Sequence, residues 1–398
     1  MGRDTFTEHD FEKATAEKGI VFTERGDGSL RAECDVSRNA KEEAFSSSKL
    51  HPSVDPAVMV IRRSLPRFEQ LDDGTYRMTV GMPIDVEDSC DTTGSMGDNV
   101  QRRMEGLVNT YQAISEVLPG CDPQLALGIF GDRHDVDGKP DRFPLQRPQF
   151  EMTAGKIVDY VAHLVPEGGG ADSPEDPQYA IFAAAYLTDT FTNRCGLKGY
   201  HFLITDAAFH DILDPSAIEE LFGKNVWNEL AENGHSEIKR NSLPTFNELF
   251  AALHRRAHAF LISVGRSSDS LGDFNDYYDF EHRIRISDTN CLPAVEAAVI
   301  GLTEGTLQPL DVKKFLEDHQ VSSYNIYDAL PGLMKVPFCA QRKLERESKV
   351  LTGPLPKKGD IFANKTDVNP IRRAEDVSTD VDVLPTEDTW GEDSGDWL

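Results

Sequence analysis

The sequence has no Cys-x-x-Cys pair: its six cysteines, Cys34, Cys90, Cys121, Cys195, Cys291 and Cys339, lie far apart. That spacing signals neither a zinc site nor a disulfide framework, and the thiols read as reduced side chains of a cytoplasmic protein. Long hydrophobic runs are missing too. No stretch approaches the roughly 20 apolar residues of a membrane span, so no membrane partner is expected. The start, Met1-Gly2-Arg3-Asp4-Thr5-Phe6, lacks the apolar run of a signal peptide and has Phe6 where an N-myristoylation signal wants Ser or Thr. Basic charge is scarce: 41 Lys and Arg stand against 68 Asp and Glu, a formal net charge of -27. Such a balance opposes a phosphate backbone and argues against nucleic acid as a primary partner, whereas a cation or a basic partner fits. A Gly-x-x-x-x-Gly-Lys phosphate cradle is absent as well.

What is present falls into four parts along 398 residues. Residues 1–75 are mixed, with an acidic helical start (His9–Lys18), a polar Ser46-Ser47-Ser48 and a hairpin signal at Asp72-Asp73-Gly74. Residues 76–310 alternate strand and helix. Leu125–Phe130, Tyr200–Ile204 and Ala259–Val264 are short apolar runs of the kind that form strands covered on both faces. Between them lie helices expected to begin near Thr153, Pro174 and Pro244, and an amphipathic helix capped near Ser95, in which Met96, Val100, Met104, Leu107, Val108, Tyr111, Ile114 and Leu118 recur at helical spacing. This pattern predicts an α/β fold with a doubly wound, mostly parallel sheet flanked by helices. Residues 311–350 read as a helical extension. Residues 351–398 are acidic, poor in apolar side chains and expected to be disordered. Their end, Trp390-Gly391-Glu392-Asp393-Ser394-Gly395-Asp396-Trp397-Leu398, has the form of a docking peptide with aromatic anchors, or else of a solubilising tail.

Three loops in this frame carry hydroxyls and carboxylates. Asp91-Thr92-Thr93-Gly94-Ser95-Met96 follows a β-like segment and opens a helix; Gly168-Gly169-Gly170-Ala171-Asp172-Ser173-Pro174-Glu175-Asp176 feeds another; Leu203-Ile204-Thr205-Asp206 ends an apolar strand. Magnesium demands near-octahedral oxygen coordination and keeps waters, so a good site offers a few hydroxyls and carboxylates and leaves a position open. Asp91, Thr93 and Ser95 alternate, so a tight loop turns all three toward one point, with Gly94 permitting the bend. Each loop taken singly reads equally well as a helix cap. Asp132 to Asp141, with His134, reads as a solvated turn, and His210 as a hydrogen-bonded loop residue.

With all three loops in order over some 230 residues, the region resembles a von Willebrand factor type A domain with a metal-ion-dependent adhesion site. The first loop is similar to that family's Asp-x-Thr-x-Ser motif, the second to the Gly-Gly-Gly-Asp-x-Pro-Glu loop of its intracellular and bacterial members, and Ile204-Thr205-Asp206-Ala207-Ala208-Phe209-His210 to their Thr-Asp-Ala-Pro-Pro-His strand end. The resemblance implies a parallel sheet with one antiparallel edge. It also implies a magnesium ion, or manganese or calcium in its place, held by Asp91, Thr93 and Ser95, by Asp172 or Ser173, and by Asp206. The open position then accepts a Glu or Asp from a partner protein, and bacterial members of this kind often act as adaptors to AAA+ ATPases. Such a module is not an enzyme. The alternative is a metal-dependent hydrolase or phosphotransfer enzyme using the same cation, against which stands the lack of a Cys/His or Ser/His pair near the loops.

One stretch departs from the family pattern. Where a nearly continuous apolar strand is expected, the chain reads Pro83-Ile84-Asp85-Val86-Glu87-Asp88-Ser89-Cys90. Alternation puts Asp85, Glu87 and Ser89 on one face, and a buried, unpaired carboxylate costs several kcal/mol. Either that face meets basic side chains or the strand is bulged. The second loop also carries an extra Ala171 and offers both Asp172 and Ser173 where the family often has a threonine.

Overall fold

The apolar runs of the middle of the chain do form strands, and in the computed structural model they assemble into one six-stranded sheet. The structure describes residues 21–24, 30–33, 36–64, 67–70, 76–80, 82–119, 121–133, 141–152, 154–169, 174–194, 196–265, 271, 274, 276–341 and 349–353. Asp172, Ser173, His134 and the acidic tail with Trp390 and Trp397 lie outside the described residues. The elements ahead of the sheet are β1 (Val21–Glu24), β2 (Leu30–Glu33), α1 (Val36–Ser47), β3 (Arg62–Arg63), β4 (Arg67–Gln70) and β5 (Tyr76–Val80). Next come β6 (Met82–Asp91), α2 (Asp98–Val117), β7 (Cys121–Phe130), β8 (Leu145–Gln146), α3 (Ala154–Val161), α4 (Gln178–Tyr186), β9 (Thr188–Asp189) and α5 (Phe191–Arg194). The chain continues through β10 (Gly199–Thr205), α6 (Pro215–Phe222), α7 (Val226–Glu232), α8 (Phe246–Arg256), β11 (Ala257–Val264), β12 (Arg283–Ile286), α9 (Leu292–Glu304), α10 (Val312–Asp318), α11 (Ser323–Leu333) and β13 (Lys349–Gly353).

The sheet runs in the order β12-β11-β10-β6-β7-β8, with every neighbouring pair parallel except the β7–β8 edge. Counted by chain order within the sheet, that is 3-2-1-4-5-6 reversed end for end, the doubly wound order in which ligands sit where the connections diverge, at the carboxyl ends of the first and fourth strands. Those two strands are β6 and β10, and they end at Asp91 and Thr205. Helices cover both faces. One core lies under α2, α3, α9, α10 and α11, the other under α4, α6, α7 and α8. Val54 enters the first core and Val60 and Ile61 the second, so the residues just ahead of β3 are part of this packing. Every residue of β10 and β11 is buried, as the continuous apolar runs require. Phe202, Leu203 and Ile204 are wholly inaccessible, and each such side chain stabilises the fold by about 1.5–3 kcal/mol relative to exposure. β4 and β5 pair antiparallel as the two arms expected around Asp72-Asp73-Gly74, whose turn lies outside the described residues, and β13 adds to β5.

The acidic strand is not bulged. β6 keeps an unbroken register with β7 from Met82 to Asp91, and the charges on its faces are matched instead. Glu87 accepts from Arg147 Nη2 at 2.8 Å and from Arg256 Nη2 at 3.0 Å; Ser89 Oγ lies 3.1 Å from His201 Nε2; Asp85 accepts from the Thr192 N–H at 3.2 Å. On the opposite face Arg103 bridges Asp88 and Glu296, the latter at 2.9 Å, and donates to Thr110 Oγ1 at 3.0 Å. Burial alone would raise the Glu87 carboxyl, but the guanidinium groups of Arg147 and Arg256 outweigh it and hold Glu87 at about 2. These partners come from residues 103 to 296 and have no spacing signature relative to β6, which is why the strand looked anomalous in sequence.

Candidate metal centre

The first loop is built on the last residue of β6. Asp91 is fully buried; its Oδ1 accepts from the Thr93 N–H at 2.8 Å and from Thr93 Oγ1 at 2.7 Å, and its Oδ2 accepts from Thr205 Oγ1 at 2.7 Å. The last contact follows from the register, which pairs Ile204 with Cys90 and so sets Thr205 beside Asp91. Thr93 Oγ1 lies 3.3 Å from Ser95 Oγ, and Ser95 Oγ donates to Asp206 Oδ1 at 2.7 Å. Asp91, Thr93, Ser95 and Asp206 therefore form one continuous chain of contacts from β6 to β10. Thr93 is 2 % exposed whereas Ser95 is exposed, so the set runs from a buried anchor to an accessible lip.

The helix start differs from the expected cap near Ser95. A 3-10 turn, Gly94–Met96, intervenes, and α2 begins at Asp98 after Gly97 at φ +50°, with no side-chain cap. The hydroxyls of Thr93 and Ser95 are bonded to Asp91 and Asp206, so neither is available to the helix N–H groups. α4 likewise starts at Gln178, later than Pro174, and no side chain caps it at Pro177.

The second loop docks on the first through its glycines. Gly94 N–H donates to Gly169 O at 2.8 Å, and a methyl on Gly94 would lie 3.3 Å from Gly168 O. Gly131 and Gly169 leave room for the Asp141 carboxylate, which a Cβ at either position would strike. Glu175 is joined to the strand end of the third loop: its N–H donates to Ala208 O at 2.8 Å, and its carbonyl accepts from the His210 N–H at 3.0 Å. Asp132, at the start of the stretch expected as a solvated turn, is fully buried, with its N–H and carbonyl tied to Asp141; residues 134–140 lie outside the described residues.

Electrostatically the site is one-sided. Burial pushes the Asp91 carboxyl up to about 6, with the Asp206 charge adding to it against the bonds from Thr93 and Thr205. Glu175 is driven further, to about 9, first by burial and then by Asp91, Asp132 and Asp206. Among the described residues no Lys or Arg pairs with Asp91, Glu175 or Asp206. No group of three His, Cys, Asp or Glu side chains forms a metal cluster among the described residues; the donors that converge are carboxylates mixed with hydroxyls. That donor set suits a hard, oxygen-seeking divalent cation. Beside it opens a cleft of about 340 Å³ between the first two loops and the start of α2, with Val100, Met104 and Pro166 in its wall and Asp98 and Glu167 at its rim.

Of the six residues singled out in sequence, the structure brings together Asp91, Thr93, Ser95 and Asp206; Asp172 and Ser173 lie outside the described residues. Sequence reasoning passed over three contributors. Thr205 was readable as the residue before Asp206 but not as the partner of Asp91, which only the parallel register reveals. Asp132 was hidden in a glycine- and aspartate-rich stretch. Glu175 lies in a loop that reads equally well as a helix cap, and only the backbone bonds to Ala208 and His210 show that it adjoins the third loop.

No family model matches the chain, and no curated protein matches it. Among solved structures, the pilus adhesin SpaC from Lactobacillus rhamnosus GG aligns with 60% of this chain and 34% of its own, at 11% identity and a TM-score of 0.36. Proximal thread matrix protein 1 from the mussel byssus, in a structure with a zinc-occupied MIDAS motif, aligns with 56% of this chain and 46% of its own, at 12% identity and a TM-score of 0.32. The chain thus spans between a third and a half of the length of these proteins. Among the described residues no helix is long and apolar enough to cross a membrane.

Proposed function

We propose that the protein is a cation-dependent interaction module. Asp91, Thr93, Ser95 and Asp206 would hold a magnesium ion, with manganese or calcium able to replace it, and Asp172 or Ser173 would add a ligand from the second loop. When bound, the ion supplies a positive centre with an open position; the chain's own residues fix where that position lies and how accessible it is. The observation that carries this reading is the unbroken contact path Asp91–Thr93–Ser95–Asp206 across the tips of β6 and β10, with no basic partner for its carboxylates among the described residues. The carboxylates accept only from the hydroxyls and backbone N–H groups of their own loops, and a divalent ion would add the positive charge that the cluster lacks.

With Ser95 exposed next to the cleft, the open position would lie at the protein surface, within reach of a Glu or Asp of a partner protein. The adjoining wall of Val100, Met104 and Pro166 offers that partner apolar contact. We take the module to be an adaptor without catalysis of its own, working with an AAA+ ATPase as the family resemblance implies. The test has two arms. Isothermal titration should show magnesium or manganese binding that Asp91→Ala abolishes, and capture of a partner should need both the ion and Asp91. Cation-stimulated hydrolysis of a model phosphoester by wild type, absent in Asp91→Ala, would overturn the adaptor reading in favour of an enzyme.

A further inference from the structure

We propose that α11 and the segment after it form a docking face for this chain's own acidic end, residues Trp390–Leu398, whose two tryptophans seat on an exposed aromatic stripe. The face lies at the β12 edge of the sheet, apart from the tips of β6 and β10, and is independent of the ion.

Helical spacing sets the stripe. Tyr324, Tyr327 and, one residue past the helix, Met334 fall at i, i+3 and i+10, so they share one face. They are 79 %, 82 % and 47 % exposed, whereas Ile326, Ala329 and Leu333 on the other face enter the core. Phe280, exposed ahead of β12, is joined to the stripe by Lys335, whose Nζ stands 3.3 Å from the centre of its ring. Phe338 follows, also exposed. Their support is firm. Asn325 Oδ1 accepts from the Ser287 and Asp288 N–H groups, and Gly332 lies so close to β12 that a Cβ would strike Arg283 O. Beyond the helix, the Cys339 and Ala340 N–H groups both donate to Thr303 O, and the Gln341 amide clasps the N–H and carbonyl of Lys198 at 2.9 and 3.2 Å. Large apolar side chains held out on a fixed support mark a binding surface.

Charge selects the occupant. On a chain of net charge -27, α11 has one carboxylate, Asp328, and it is taken up by Ser287 Oγ at 2.6 Å and Arg285 at 3.9 Å. Arg285 at one end of the stripe and Lys335 at the other give it cationic ends, with Asp279 and Glu281 beside Phe280 as the opposing charges. Aromatic anchors set among acidic residues fit such a face. The chain has them in Trp390 and Trp397, within a stretch from Glu375 to Leu398 that holds no Lys or Arg. Reach is ample: from Gly353, where β13 ends, to Trp390 an extended chain spans on the order of 100 Å. Trp390 and Trp397 can stand up to roughly 23 Å apart, and Tyr324 and Met334 are about 15 Å apart along the helix, so one stripe can take both rings. The same face of a second copy fits less well, since its cationic ends would meet their like.

Tryptophan fluorescence tests this on the full chain. Trp227→Phe leaves Trp390 and Trp397 as the only tryptophans. Seated, they should emit to the blue of free N-acetyltryptophanamide and be quenched by acrylamide several-fold less, equally at low and high protein concentration. Adding Tyr327→Ser and Phe338→Ser should return emission and quenching to the free values without lowering the melting temperature, since both side chains are exposed; Lys335→Glu should do so in part. A carbodiimide cross-link from Lys335 to Asp393 or Asp396 in wild type gives the same reading with no substitution, should the serine variant not fold. Quenching equal to the free amide before those changes, or protection that survives them, would overturn the proposal. Protection that grows with protein concentration would overturn it in favour of a second copy as the source of the segment.

Discussion

One strand carries two kinds of buried carboxylate. In the middle of β6, Glu87 and Asp88 are met by Arg147, Arg256 and Arg103, so their charges are cancelled within the fold. At its tip, Asp91 sits with Asp206 and Glu175 and has no such partner among the described residues, only the hydroxyls and N–H groups of its own loops. Both sets are inaccessible and both lie in the same sheet, so burial does not distinguish them; the identity of the partner does. Arginine-matched carboxylates hold the fold, whereas carboxylates matched only by hydroxyls and N–H groups fit the cation binding proposed for the tip.

The comparison breaks most visibly at Arg103. Replacing it by Met leaves Asp88 and Glu296 buried, facing each other and without a cation, which should cost about 3–5 kcal/mol in urea unfolding. A loss below about 1 kcal/mol would show that mid-strand charges are not held by their ion pairs. The tip should respond in the opposite manner. Thr93→Ala with Ser95→Ala removes two hydroxyls of the proposed ion site but no core contact, so magnesium affinity in titration calorimetry should drop by roughly tenfold or more, about 1.4 kcal/mol. Stability in EDTA should change by less than about 1 kcal/mol. Unchanged magnesium binding in that variant would remove the site.

Acid sharpens the contrast through the mid-strand groups. His201 is buried against Ser89, and burial holds it neutral down to about 4, from an ordinary 6.5. The unfolded chain takes the proton below pH 6.5 and the folded chain does not until about 4, so stability falls as pH drops through that window. Glu87 acts in the same direction lower down: its contribution is complete above pH 4.5 and is lost as pH falls toward 2. Each group is worth about 3 kcal/mol at most. Urea unfolding of the Asp91→Asn, Glu175→Gln double variant at pH 7, 5.5 and 4.5, with and without His201→Gln, separates His201 from the tip and from His282, which burial also lowers to about 4. An equal pH slope with and without His201 would contradict its assignment.

The legible and illegible parts of this molecule divide along the same line. Apolar runs such as Tyr200–Ile204 and Ala259–Val264 announce doubly covered strands because their burial is a property of the run itself. Asp91, Thr93, Ser95 and Asp206 were readable because loop chemistry at strand ends is local and its order along the chain follows the fold. The partners of Glu87 and Asp88 were not readable, since Arg256 lies 169 residues from Glu87 and Glu296 lies 193 from Arg103. The start of α2 was misplaced for a related reason: Ser95 looks like a cap until Asp206, brought up by β10, claims its hydroxyl. Glu175 was ambiguous in the same way, because a carboxylate before a helix reads as dipole complementation unless the third loop is known to lie against it.

The smallest expected effect tests whether the loops must touch. Gly94 N–H bonds to Gly169 O, and a methyl on Gly94 would stand 3.3 Å from Gly168 O, closer than an ordinary van der Waals contact. Gly94→Ala should therefore push the second loop back by a few tenths of an ångström without touching either core, at a stability cost below about 1 kcal/mol. Because the second loop also carries the candidate ligands Asp172 and Ser173, the same displacement should weaken manganese binding several-fold. An alanine variant with wild-type manganese affinity would mean that the first and third loops hold the ion on their own, and that the second loop is packed against the site without contributing to it.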